Sequence, residues 1–379
     1  MENLPVQIAE IIKQNGLTGI NHGLMNGNTG ISILFYNLAR NTNNPEYERV
    51  ADNLLEKVFA SLSTSVPVDF GNGLAGIGWG IEYLVQNNFA EGNTDEILEE
   101  VDNKVFRFLN EETHQSIELD NGLAGIFCYL INRLKNKIAP PSMAQRINRE
   151  LLFLTINKID ELVTAQFTAI VKEMHFDLLW RFPVILFGLT EAYRLNIYND
   201  KIKSMVRQWL PYFEAYIPSL HINRLFLAVL LLQINKLIPD KRLEKQARIL
   251  LFATDFEVLE TEVDHNMNNI RFGWPGFAWL LSIAMKVLPA DWPSHPLIGQ
   301  TYQSIIKRDK CSVENILPRN PDGSAMQIGL TTGLAGIGLM ELLWPGILSS
   351  NSYFNDKFFN TFPLGFGSDA CLQWGSVPG

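Results

Sequence analysis

The hexapeptide NGLAGI stands at Asn72–Ile77 and again at Asn121–Ile126, and TGLAGI repeats it at Thr332–Ile337. Each copy heads an apolar run. Gly73 and Gly122 are 49 residues apart, and Gly27 precedes Gly73 by 46, which is room for two helices and two turns per unit. Weaker copies follow at Phe176, His221 and Ile270, and with the segments at Asn21 and Ile328 the chain holds seven such starts. Between them lie one-sided amphipathic stretches such as PEYERVADNLLEKVFASL, with apolar residues at helical spacing. The NGLAGI-type segments are apolar nearly all round, as a helix buried on every side must be. Strand-like alternation is nearly absent. The pattern predicts an all-α protein, a closed α/α toroid of seven inner and seven outer helices, with one domain over residues 1–350 and a C-terminal tail at 351–379.

A glycine inside a helix costs about 1 kcal/mol relative to alanine, so the recurrent pair must be offset by close packing at the inner-helix starts. Such starts are also expected to leave backbone N–H groups free to meet an anion or a carboxylate.

Composition narrows the function classes. The chain has 379 residues, 47% hydrophobic and 19% charged, with a formal net charge of −9 and scattered basic residues. Nucleic acid is excluded as a partner, because phosphate binding needs clustered Lys and Arg. No apolar stretch reaches the ~20 residues that a membrane-spanning helix needs. The three cysteines, Cys128, Cys311 and Cys371, form no CxxC pair. With no visible secretory signal, these features point to a cytoplasmic protein without a disulfide framework.

Seven repeats with Gly-x-Ala-Gly-Ile at the clearest starts resemble the lanthionine synthetase C-like (LanC-like) family over Gly19–Ile347. The segment IRFGWPG at Ile270–Gly276 is also similar to the family's Gly-x-Pro-Gly start. The resemblance implies an α/α toroid whose cyclase members add a cysteine thiol to a dehydrated Ser or Thr of a ribosomally made peptide. In those cyclases zinc is held by two Cys and one His. This chain has neither Trp-Cys-x-Gly-x-Pro-Gly nor Cys-His-Gly. Counting repeats puts the Cys-His pair on Arg271 and Phe272 and the other Cys near His221. Alignment by the Pro-Gly string instead puts Arg271 at the first Cys, with Thr331 and Thr332 at the Cys-His pair. Both registers remain open, and neither keeps three ligands, so no metal and no cofactor are expected.

By the same resemblance Trp180 falls on a family histidine, and Glu118 on a carboxylate four residues ahead of Gly122. The candidate catalytic residues are Glu118, Asp120 and His221, with Asp69, Trp180, Arg181, Arg271 and Trp274 as substrate-binding candidates. The expected partners are a substrate or precursor peptide and other peptide-modifying enzymes, the chain binding the peptide or modifying it without metal. An acidic or carboxylate-bearing ligand suits the two arginines. The alternative is an acid/base enzyme on sugars, glycosidase or epimerase-like, using two of Asp69, Glu118 and Asp120. Against it, Asp69 and Asp120 stand in turns where an Asp caps a helix. The tail, with Phe362, Phe366, Leu372 and Trp374, is expected to dock on the toroid.

Overall fold

The two kinds of segment become two kinds of helix. The computed structural model describes residues 4–14, 17, 20–62, 66–111, 116–135, 140–172, 175–264, 267–308, 327–344 and 348. In chain order the helices are α1 (Leu4–Gln14), α2 (Asn28–Thr42), α3 (Pro45–Ser61), α4 (Leu74–Gln86), α5 (Thr94–Ile97), α6 (Glu99–Glu111), α7 (Leu123–Lys135) and α8 (Met143–Ile170). They continue with α9 (Arg181–Arg194), α10 (Asn199–Ala215), α11 (His221–Leu237), α12 (Lys241–Phe252), α13 (Trp274–Val287), α14 (Ser294–Arg308) and α15 (Leu334–Leu343). Among the described residues β structure is limited to one isolated bridge, between Asp264 and Gly273.

Seven of these, α2, α4, α7, α9, α11, α13 and α15, are the inner helices. In α7 every residue from Leu123 to Arg133 is buried, and in α9 every residue from Phe182 to Ala192. The amphipathic α3, α6, α8, α10, α12 and α14 alternate with them, and α1, which buries Pro5, Ile8, Ala9 and Ile12, is the seventh outer helix.

The outer helices α3 and α12 begin as isolated amphipathic helices do. The Asn44 side chain accepts from Glu46 N ahead of Pro45 in α3, and Asp240 caps Arg242 N in α12.

The described residues form two compact units. One comprises residues 1–157 and 319–345, the other 158–318 and 346–352. In the first, α15 packs on α1 and α2, α2 on α4, and α4 on α7. Residues 300 positions apart therefore meet: Leu330 N and Thr331 N both donate to Met25 O, at 2.8 and 2.9 Å. In the second unit α9, α11 and α13 are successive neighbours, backed by α10, α12 and α14. The tail at 351–379, Cys311 and Cys371 lie outside the described residues.

Away from the helix starts, the first unit buries a charged cluster that the sequence reading missed. Arg133 reaches Glu82 of α4 at 2.7 Å, Asp102 of α6 at 2.9 Å and Asp95 of α5 at 3.1 Å. Asp102 also accepts from Tyr129 Oη at 2.6 Å and from Asn148 Nδ2 at 3.0 Å. The guanidinium is held protonated by these carboxylates against its burial, which alone would lower its pKa. Burial beside Asp102 pushes the Tyr129 phenol up, so it stays a donor.

Candidate functional site

Why the hexapeptide recurs is answered by the loop ahead of each inner helix. Before α4 the chain folds back over the first helical turn. Leu74 N, Ala75 N and Gly76 N donate to Pro67 O, Val68 O and Asp69 O at 2.9, 3.3 and 3.5 Å. The loop then lies so close that a Cβ on Gly73 would sit 2.3 Å from Pro67 O, and one on Gly76 2.0 Å from Phe70 O. Gly73 has an extended backbone, φ −107, so it is proximity and not a left-handed conformation that demands glycine. The same offsets recur before α7, where Leu123 N donates to Ser116 O, and before α15, where Leu334, Ala335 and Gly336 N donate to Gln327, Ile328 and Gly329 O. This corrects the expectation of free donors: at α4 and α15 the first-turn N–H groups are spent on the chain's own loop.

The loops also tie to one another. Asp120 O accepts from Phe70 N and Gly71 N, and Gly71 O accepts from Met25 N. Thus the loops carrying Asp69 and those carrying Glu118 and Asp120 are neighbours. Asp69 Oδ1 takes Asn72 N–H at 2.8 Å, a cap within its own turn. Glu118 and Asp120 are half-buried.

In the second unit α13 keeps the glycine approach, a Cβ on Gly273 falling 1.8 Å from Met267 O and one on Gly276 1.9 Å from Ile270 O, whereas a side chain holds the start of α11. α11 lacks the glycine turn, and the Glu262 carboxylate stands in for it, accepting from His221 N at 2.9 Å and Ile222 N at 2.8 Å. A carboxylate there faces the positive end of the helix. His221 Nδ1 accepts from Asp255 N at 2.8 Å and lies 3.0 Å from Arg224 Nη1, so the ring proton is on Nε2. Arg224 further donates to Pro218 O and Ser219 O and to Ala253 O.

The loops before α9 and α13 meet through Leu178 N to Arg271 O, 2.8 Å. There Arg271 grips Asp177: Nε lies 3.1 and 3.2 Å from the two carboxylate oxygens, and Nη2 3.1 Å from Oδ2. The pair is only partly exposed, 16% and 18%. Asp177 Oδ1 also accepts Leu179 N, and Asp177 O accepts Trp180 N. Arg271 lies over the Phe272 ring, which His175 flanks. Arg181 turns to the end of α8, with Nε on Ile170 O at 2.8 Å and Nη2 on Ala169 O at 2.9 Å. Trp274 is buried, its Nε1 donating to Asn268 Oδ1 at 2.7 Å. Trp180 is buried against Phe182, and among the described residues its Nε1 meets no acceptor. Trp180, Arg181, Arg271 and Trp274 therefore belong to this one unit, and Asp69 to the other. Asp177, Glu262 and Arg224 were missed, although Asp177, in a turn three residues ahead of Trp180, has the placement of Asp69 ahead of Asn72.

The residues at the positions that the resemblance gives to zinc do not fit that metal. Arg271 is a cation bound to Asp177, and Phe272 has no donor atom. The Thr331 hydroxyl, fully buried, and the Thr332 hydroxyl donate to Asn26 Oδ1 at 3.2 and 2.8 Å. Zinc takes thiolate, imidazole or carboxylate, and of the positions named in either register His221 alone carries such a donor. Among the described residues no group of three His, Cys, Asp or Glu is placed to hold a metal. Cys128 is buried in α7, and burial pushes its thiol pKa up, away from the thiolate.

Against solved structures, the chain matches nisin cyclase with a TM-score of 0.63 at 16% sequence identity, covering 98% of both chains. The likeness defines the class of protein: all-α, with the α/α toroid fold. Residues 20–177 match the model of the family described as lanthionine synthetase C-like protein, so that over that stretch the chain is similar to that family. The curated proteins give no match.

Proposed function

We propose that this protein serves the modification of ribosomally made peptides of the lanthipeptide type, binding the peptide or acting on it without metal. Nisin cyclase as a fold relative and the LanC-like stretch support the peptide class. A single observation carries the departure from metal chemistry: Arg271, where the resemblance places a metal-binding cysteine or its neighbour, is clamped on Asp177. An Arg in a two-pronged ion pair shapes and charges a surface but activates no thiol. The start of α9 and α13, with Trp180, Arg181, Arg271, Phe272 and Trp274, is then the peptide-facing region. Arg271 and Phe272 supply ion-paired and aromatic surface, with Trp180 and Trp274 buried beside them; Glu118, Asp120 and His221 remain the groups available for proton transfer. The partners are a peptide substrate or precursor peptide and other peptide-modifying enzymes, in a cytoplasmic setting. The sugar reading is the weaker one, because Asp69 is committed to its own turn.

The test is titration of the purified chain with a fluorescein-labelled dehydrated precursor core peptide, followed by anisotropy, with free thiol counted in parallel. Saturable binding is expected. No binding to such peptides, together with binding of an oligosaccharide, would replace this reading with the sugar one.

A further inference from the structure

Two tryptophans stand at inner-helix starts in the second unit, and the chain treats them differently. Trp274, at the first position of α13, is 2% exposed and donates its indole N–H to Asn268 of its own loop. Trp180, the N-cap residue of α9, is 7% exposed and has a buried Nε1–H without an acceptor. Buried polar groups are nearly always paired, since an indole N–H taken out of water and left unmade forfeits a hydrogen bond. A Phe at this position would fill most of the same space without that cost.

We infer that Trp180 is a specificity-determining residue that reads an uncharged carbonyl of the bound peptide, its indole N–H donating to that oxygen at the start of α9. This rests on the peptide-binding reading above and names the chemistry recognised. The surrounding charges decide between a carbonyl and a carboxylate. Arg271 is already held by both oxygens of Asp177, and Arg181 donates to Ile170 O and Ala169 O. An incoming carboxylate would have to displace Asp177 or stand against its charge, whereas a neutral carbonyl requires only the indole. The acidic ligand suggested by the two arginines in the sequence is thereby replaced by a neutral one. Trp180 is the N-cap residue of α9, and to present its N–H to the peptide the side chain must turn on its contact with Phe182.

The experiment uses the full chain labelled with ¹⁵N at its indoles. The Trp180 resonance is identified by its loss in Trp180→Phe, and that of Trp292, which follows the C-terminal end of α13 and lies under Arg248 of α12, by its loss in Trp292→Phe. The probe is the labelled core peptide with both termini blocked and no charged residue, and the competitor is sodium acetate. The Trp180 indole resonance is expected to move on adding peptide and to stay put in acetate, with Trp292 unmoved. Trp180→Phe should weaken the peptide about fivefold to tenfold, the weight of one hydrogen bond, and Trp292→Phe should leave affinity unchanged. Peptide binding that leaves the Trp180 resonance and the Trp180→Phe affinity unchanged overturns the inference while the peptide reading stands. A response to acetate equal to that of the peptide overturns it in favour of an anion site. No peptide binding by the unaltered chain removes the reading on which it rests.

Discussion

In the first unit the starts of α4, α7 and α15 are closed by loop carbonyls, and the buried charges gather elsewhere, around Arg133. In the second unit the charges stand at the starts themselves: Glu262 on α11, and Asp177 with Arg271 between the loops of α9 and α13. The difference shows two ways of closing the start of an inner helix. A loop that lays its carbonyls over a helix start satisfies those donors with main chain, but it demands glycine. A start held by carboxylates and guanidinium groups tolerates larger residues, hence LHINRLF and LLWRFPV without the Gly pair, and exposes polar chemistry to whatever arrives.

The largest expected effect lies in the charged cluster of the first unit. Arg133→Met leaves Glu82 and Asp102 buried without their cation, and should cost about 3–5 kcal/mol of unfolding free energy, read in denaturant titrations. An unchanged midpoint would mean that water reaches the cluster. Next, Gly76→Ala pushes a methyl to within 2.0 Å of Phe70 O, so the loop must shift. About 3 kcal/mol or more is expected by calorimetry, against well under 1 for an alanine at an exposed loop position. Were Gly76→Ala benign, the account of the repeated hexapeptide would fail.

Smaller effects probe the second unit. Arg271→Met strands Asp177 and should destabilise by about 2 kcal/mol, and adding Asp177→Asn should restore part of it. A double variant no more stable than Arg271→Met would break the proposed pairing. Removing the carboxylate on α11 with Glu262→Ala should cost about 1 kcal/mol, the value of a helix cap. The smallest is a pH effect on an outer helix. Hydrogen bonds from the Arg242 side chain and backbone hold the Asp240 carboxyl below its usual range. A lowered folded pKa means that the stabilisation is present above the ordinary Asp value, about 3.9, and fades as pH falls through the folded one. Because the pair is largely exposed, the loss is under about 0.5 kcal/mol after solvent screening, and Asp240→Asn should flatten the stability profile of α12 by that much and no more.

Much of the architecture was legible because it is periodic. An inner helix must be apolar all round and an outer one on a single face, so NGLAGI and PEYERVADNLL announce their layers from composition alone. The glycine pair also announced a close approach, though not what approaches: the loop carbonyls that consume the donors expected to be free. The candidate site was legible only as a set of residue types. Trp180, Arg181, Arg271 and Trp274 were singled out, yet the partner that defines Arg271 lies 94 residues away in Asp177, and Glu262 caps a helix that begins 41 residues before it.

The sequence by itself determined the helical class, the repeat and the layer to which each helix belongs, since each depends on local spacing or on residue chemistry. Tertiary structure alone decided which charges meet, which indole is satisfied and which is left unpaired. Those outcomes depend on distances between loops from different repeats, and a hydrogen bond is made or lost within a few tenths of an ångström that no periodicity encodes.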